Sequence, residues 1–485
     1  MNARGKMAIG ILLIGFLVLL APAFVMAQAI PTIRVNCDRG QSVQSALDRL
    51  TGPATIVVTG TCHEYLEIKK DDVTIQGGTY QAPTPSDPSK SIIYVRSARR
   101  VLITGVTVTG GFNGIAVGQG GSLTLDGNST ISGASGNGVV SVFGSSMTVN
   151  SSTIQGNLRG ATAVDNSAIV VTNSHIQNNT GTGVLVARSS SARIGQNLIG
   201  VQMKSWISGN GGNGVVVSRG SHAIVDGNDI MGNSGSGVGV EGSSATVISN
   251  IISGNGGKGI TVSGSGNSRI GINDSDQPAP NTIVNNVYDG IQISNSASAY
   301  ILGNTIQSNG LTPGRHGVGI HRASGRLMGG NIIQGNGGHG VSVDQGQLYQ
   351  GVGDFFNLTP GPDQITGNGY SGIHGWNGAH LDIQHLTVTN NTQHGIVLSL
   401  QSTLRIYDAT VSGHTNSDIN GNPYGGIALW EGSAAAFYHP TGTPAASITG
   451  NSYGIICGGL EASITGDTTG VVGNTLGNVS GCSGF

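Results

Sequence analysis

A glycine followed by a short apolar stroke recurs at Gly114, Gly138, Gly160, Gly183, Gly214, Gly237, Gly259, Gly290, Gly317, Gly340, Gly372, Gly395, Gly426 and Gly454. Most steps are 22 to 24 residues, and the steps of 27 to 32 carry insertions. A period of this size marks a solenoid, in which each unit buries its apolar face only against its neighbours. The run Gly335–Asp344, GNGGHGVSVD, matches a dinucleotide-binding spelling when read alone. The same theme returns at Gly209–Ser218, Gly232–Glu241, Gly254–Ser263 and Gly367–Trp376, followed each time by another short strand. Pyrophosphate binding needs a helix N-terminus at that point, so a nucleotide loop is excluded.

Within one unit, Ser221–Gly237 reads SHAIVDGNDIMGNSGSG and continues VGVE. Three apolar strokes are broken by Asn and Gly, and no 3.6-residue period appears. Three strands per turn with period-2 alternation describe a parallel β-helix, its rungs about 4.8 Å apart. Roughly 16 or 17 rungs predict a rod about 75–80 Å long at that spacing. Asn157, Asn179, Asn210, Asn233, Asn255, Asn286, Asn309, Asn336, Asn368, Asn391 and Asn451 share one register, with His414 replacing one of them. Stacked amides can hydrogen-bond up the rod, and the neighbouring glycines supply positive φ at the corner. The composition agrees, with 83 Gly, 14 Pro and no G-X-Y period. Only 9% of the 485 residues are charged and the net charge is −2, which leaves no electrostatic footprint for nucleic acid or an anionic membrane.

The ends differ from the array. Arg4 and Lys6 precede an apolar run from about 8 to 25 that ends in Ala27-Gln28-Ala29, the pattern of an export signal. An uncleaved anchor is the rival reading; Pro22 and the small-residue site favour cleavage, after which no membrane association is expected. Gln41–Leu50 is the one amphipathic helical stretch and fits a lid over the first rung. Cys37 and Cys62 are 25 residues apart, as are Cys457 and Cys482. Three pairings are open, and local pairing is expected because end-to-end bridging would need the two ends to meet. A zinc site is disfavoured, since neither pair has a C-x-x-C or a close His. The expected division is 1–29 signal, 30–63 N-terminal cap with the helix, 64–460 β-helix and 461–485 C-terminal cap.

These features resemble the right-handed parallel β-helix repeat proteins of the pectin-lyase-like superfamily, over essentially the whole mature chain. The resemblance implies a single-domain, all-β, right-handed solenoid, secreted or periplasmic, of the secreted bacterial type that Thr55–Ile75 resembles. It also implies a polysaccharide partner, handled by lyase, epimerase or hydrolase chemistry if the chain is an enzyme. The catalytic signatures themselves are missing. Gly338-His339-Gly340 resembles one of four polygalacturonase motifs, but the N-T-D, D-D and R-I-K companions are absent from the right setting. The adjacent acids Asp71-Asp72 lie far upstream at a turn. Glycoside hydrolysis usually needs two carboxyls about 5–9 Å apart. The D-P-H-D signature of mannuronan C5-epimerases and the W-x-D-H and R-x-P-x-x-R segments of pectate lyases are also absent.

The repeat register is more informative. With Val341 and Val343 pointing inward, Ser342 and Asp344 point outward. The same outward position on successive rungs reads Ser218, Glu241, Ser263, Ser294, His321, Asp344, Trp376, Ser399 and Trp430. His321 as base, Asp344 as its orienting or acidic partner, and His374, Trp376 and Trp430 as substrate-binding groups make a candidate carbohydrate site. Chance proximity along a long rod is the competing explanation. A second column pairs Asp382 with Arg405, two residues after His380, and is read as a cross-rung ion pair. His316, His339 and His394 precede the repeat Gly where other rungs carry Asn, Ser, Lys or Asp, and are read as structural substitutions.

Insertions at Gln196–Trp206, Asn273–Pro280 and Val352–Pro362 fall in one part of the repeat, three rungs apart, and should project along one edge. Asp274 and Asp276 offer two oxygen ligands to a cation such as Ca²⁺, short of the six to eight it takes; no other cofactor is indicated. The leading expectation is an exported β-helix that binds an extracellular or cell-wall polysaccharide, with processing of it left open. The alternative is a non-catalytic structural or adhesive surface rod.

Overall fold

The computed structural model describes residues 30–198, 201–310, 314–351, 360–459 and 461–483. The expected export signal at 1–29 and most of the third insertion, 352–359, lie outside the described residues. In a typical rung, His222–Asp226 is followed by Asp229–Met231 and Val238–Glu241, and Ser244–Ile248 then opens the next. Equivalent strands pair in parallel, His222 beside Ser244 and Val238 beside Ile260. The result is a right-handed parallel β-helix with three sheets of 18, 16 and 17 strands, called here the first, second and third in chain order within a rung. No helix among the described residues is long and apolar enough to cross a membrane.

Alternation fills the interior. Second-sheet strands are mostly three residues long, and their middle residue is inward: Ile154, Ile176, Ile207, Ile230, Ile252, Ile283, Ile306, Ile333 and Ile365 stack one per rung, fully buried. Each such side chain contributes about 1.5–3 kcal/mol of burial. This column also explains the repeat glycine, whose φ is not positive. A Cβ on Gly340 would lie 2.3 Å from Ile365 Cγ2 and 2.7 Å from the Gly372 carbonyl oxygen, so only glycine lets the chain turn against the next rung. Positive φ falls instead on the residue before the ladder Asn, such as Gly254 at 61°. Asn178, Asn285, Ser308 and Asn390 occupy that place on other rungs, also with positive φ.

The amide ladder runs as expected. Asn233 Nδ2 donates to Asn255 Oδ1 at 2.9 Å and Asn255 Nδ2 to Asn286 Oδ1 at 2.9 Å, while each amide also donates to an isoleucine carbonyl. His414 takes its place between Asn391 and Asn451. A second ladder lines the corner between the first and second sheets. Ser174, Ser205, Asn228, Asn250, Asn281, Asn304 and Asn331 link rung to rung and end on Asp363. Burial pushes the Asp363 carboxyl up, against four donors from Gln350, Asn331 and Gly329 that pull it down.

At the N-terminus the helix α1 (Val43–Asp48) is shorter than the 41–50 stretch and buries Val43, Ala46 and Leu47. Ser42 caps it by accepting the Ser45 N–H, and Glu64 accepts from the Ser42 hydroxyl and the Val43 and Gln44 N–H groups. Parallel pairing already begins at Thr32–Asn36 against Ala54–Thr59. The disulfides are the local pairs Cys37–Cys62 and Cys457–Cys482, one at each end.

Candidate functional site

The outward face of the third sheet carries the column in the expected register. Ser218 pairs with Glu241, Ser294 with His321, His321 with Asp344, Asp344 with Trp376, and Trp376 with Ser399. Alternation makes this inevitable: Val318 and Ile320, Val341 and Val343, and Ile373 and Gly375 face the core, leaving the residues between and after them outside.

His321 Nδ1 lies 3.0 Å from Asp344 Oδ2. The carboxylate accepts, so the ring proton sits on Nδ1 and Nε2 keeps its lone pair, the arrangement of an oriented base. Asp344 Oδ1 is buried without a hydrogen-bond partner. One rung on, the Trp376 ring is 43% exposed. His374 lies between it and His339, its ring centroid 6.5 Å from that of Trp376 and nearly parallel, and 4.5 Å from that of His339. Burial, with help from His316, pushes the His374 imidazole down to about 4 even though Asp344 pulls it up.

Trp430 belongs to the same column two rungs above Trp376, but it is half-buried and packs against Gly458, where a Cβ would be 1.8 Å from the indole. It also meets His394 at 6.3 Å between ring centroids. The structure thus brings His321, Asp344, His374 and Trp376 together and leaves Trp430 at the margin, supporting the last rungs.

The corner imidazoles do what other residues do there. His316 Nδ1 accepts the His339 N–H at 3.2 Å, His339 Nδ1 the Ser371 N–H at 3.1 Å, and His394 Nδ1 the Gly425 N–H at 3.0 Å. Burial lowers all three, His339 well below the usual imidazole range and His394 to about 4. The contact of His339 with His374 is not readable from spacing, because strand alternation says nothing about how a corner ring turns.

The insertions share one corner, between the first and second sheets, so they border the first sheet and not the histidine face. Asp276 there is ion-paired with Arg269, and Asp274 Oδ1 accepts weakly from Thr246. Among the described residues, the one cluster with three potential metal-ligand side chains is Cys37, Cys62 and Glu64, and both sulfurs are spent in a disulfide. The first sheet carries an outward column that the sequence reading caught only at its end: Arg269, Tyr300, Arg326, Tyr349, Asp382, Arg405. Arg405 is 3.5 Å from Asp382 and lies over the Tyr438 ring at 4.2 Å. His380 is hydrogen-bonded to Thr403. Asp71 and Asp72 are both held by Arg100.

Towards the N-terminus, the third-sheet face widens into a groove of about 1220 Å³ lined by Tyr65, Tyr94, Phe112, Lys90, Arg159 and Glu241 among others. Glu241 belongs to the same column as His321.

The sequence matches the family described as "Right handed beta helix region" over residues 55–205, 203–356 and 289–441. No curated protein matches it. Among solved structures, a mutant of the periplasmic alginate epimerase AlgG is similar at 15% identity, covering 66% of this chain and 83% of that one, with a TM-score of 0.45. The A-module of the Azotobacter vinelandii mannuronan C-5 epimerase AlgE4 is similar at 14% identity over 93% and 100%, with a TM-score of 0.29. PfbA, a surface adhesin of Streptococcus pneumoniae, is similar at 9% identity over 80% and 94%, with a TM-score of 0.23.

Proposed function

The chain belongs to the right-handed β-helix family, and from that premise we propose that it is an exported protein that binds a polysaccharide along the outward face of its third sheet and processes it there. The observation that carries the reading is the His321–Asp344 pair at 3.0 Å, one rung from the exposed Trp376. His321 is the base, Asp344 holds its ring and stabilises the imidazolium, and Trp376 offers an apolar face to a sugar ring. His374 fills the space between Trp376 and the corner, and Trp430 closes the far end. The groove on the same face gives an extended chain somewhere to lie. The basic, apolar N-terminus ending in Ala27-Gln28-Ala29 and the two disulfides support export to the periplasm or the medium. In this reading, residues 30–63 and 461–485 cap the 64–460 β-helix.

A specific observation favours a second reading, the non-catalytic surface rod. The same cross-rung pairing recurs at His385–Asp408, 3.2 Å, and His439–Asp467, 2.8 Å, where no exposed Trp is adjacent. Such pairs can serve stacking alone. The readings separate when the purified protein is mixed with pectins, alginates and neutral plant and bacterial glycans. Polymer retention that is lost in Trp376→Ala and altered products that are lost in His321→Ala are expected of the first; failure to retain any polymer would leave the rod.

A further inference from the structure

Five of the twelve histidines, His316, His321, His339, His374 and His394, lie on this one face over four successive rungs. Three sit at the corner, and the fold does not require imidazoles there. On other rungs smaller side chains accept the same backbone N–H from the rung above: Asn113 from Asn137 at 3.1 Å, Asn213 from Ser236 at 2.7 Å, Ser236 from Lys258 at 3.2 Å. Asp289 does so for His316 itself at 2.7 Å. A neutral imidazole in that role has its lone pair on Nδ1 turned to the backbone and its proton on Nε2. Among the described residues no hydrogen bond engages Nε2 of His316, His339 or His394, and all three side chains are partly exposed.

The rings are fixed in place. His339 is held between His316 at 5.3 Å and His374 at 4.5 Å, with the edge of Tyr370 at 5.3 Å, and Tyr424 braces His394 at 4.9 Å. The surroundings are poor in positive charge. The third-sheet strands of these four rungs, VGIH, VSVD, IHGW and IVLS, and of the next, GGIALW, contain no Lys or Arg, and their one ionisable carboxylate is Asp344. The nearby cations are occupied at the margins, Arg315 over the Tyr288 ring at 4.6 Å and Arg322 on Gln345 at 2.6 Å.

We propose that the corner histidines His316, His339 and His394 are a row of N–H donors that selects an uncharged polysaccharide, laid along the rod axis with its hydroxyl and ring oxygens facing Nε2. The proposal rests on the reading of this face as a glycan site and gives it a substrate class. A polyuronate would set its carboxylates beside Asp344, with cations only at the margins in Arg315 and Arg322, which costs affinity. Neutral imidazoles donate to hydroxyl oxygens without that cost, and His374 and Trp376 supply flat faces beside the row.

The test uses variants that keep the corner bond. His316→Asn, His339→Asn and His394→Asn put an amide oxygen where Asn113 and Asn213 already serve, and remove only the ring donor. Binding is measured by calorimetry with hexasaccharides of β-1,4-linked glucose, mannose and xylose, and with galacturonate and mannuronate hexamers. The wild-type protein should bind a neutral hexamer at least tenfold more tightly than either uronate, and each Asn variant should lose about tenfold in affinity at unchanged Tm. Where an Asn variant melts early, histidine-labelled wild-type protein serves instead: the His339 Nε2 resonance must move when the neutral hexamer is added, and a static resonance overturns the proposal. A preference for uronates overturns it while leaving the polysaccharide site intact. So does full binding by the Asn variants when Trp376→Ala has lost it. Binding of neither class sinks both.

Discussion

Asn336 donates its side-chain amide to Asn368 Oδ1 at 3.0 Å across 32 residues of chain, while Asn233 reaches Asn255 at 2.9 Å across only 22. The longer rung has its extra residues in sequence between Gln347–Gln350 and Asp363–Thr366, away from Asn336 and Asn368, and the ladder does not register them. Ladder geometry is therefore independent of rung length.

Breaking it should be costly at a rung of any length. In Asn286→Ala, the Asn255 N–H and amide lose their acceptor at Asn286 Oδ1, and the Ile252 carbonyl loses its donor. Each stranded buried group costs about 1–3 kcal/mol, so a loss of about 3 kcal/mol or more is expected in urea unfolding. A change under about 1 kcal/mol would mean that the amides do not carry the stacking.

The two kinds of corner glycine should respond differently to a methyl group. Gly254 has φ of 61° but open space around its missing Cβ, so Gly254→Ala should cost only the left-handed strain of about 1–2 kcal/mol. Gly340 has ordinary φ and no space, since Ile365 and the Gly372 carbonyl occupy the site. Gly340→Ala must push a rung aside and should lower Tm by more than Gly254→Ala. The reverse order in a thermal melt would return the repeat glycine to a role in φ.

The sequence displays most of this architecture because period and alternation are local properties: Gly340, the Asn register and the column from Ser218 to Trp430 follow from counting. The His321–Asp344 contact is legible for the same reason, since equal positions on successive strands become neighbours. Other features depend on what a side chain meets after folding. Counting placed the three insertions on one edge but not beside the first sheet. It gave Asp276 no partner in Arg269, and it could not foresee Trp430 packing against Gly458. The corner rings look like substitutions in sequence; only the structure reveals the Nδ1 bond and the packing of His339 on His374.

Acid should loosen the rod through His414. It is fully buried in the amide ladder, and burial pushes its imidazole down to about 4, against an unfolded value near 6.5. The unfolded chain then binds more protons between those values, so stability is complete above about pH 6.5 and falls as pH drops towards 4. The loss attributable to this residue is about 3 kcal/mol by pH 4. His414→Asn, which restores the ladder residue of other rungs, should flatten the fall in Tm between pH 7 and pH 4; an unchanged slope would clear His414 of the effect.

Catalysis and binding should divide between Asp344 and Trp376. Asp344 accepts from His321 Nδ1 and so keeps Nε2 basic and aimed outward. Asp344→Asn removes the charge that stabilises the imidazolium while preserving shape. On whichever polymer the protein retains, turnover should fall by about 100-fold or more, the usual contribution of an oriented general base, with affinity held within about threefold. Trp376→Ala removes a stacking face without touching the pair, and should weaken binding about tenfold while leaving the rate on saturating polymer largely intact. The contrast is the test. If both substitutions weaken binding alike and no product forms with either, the His321–Asp344 pair is doing what His385–Asp408 and His439–Asp467 do, and the face is a docking surface without chemistry.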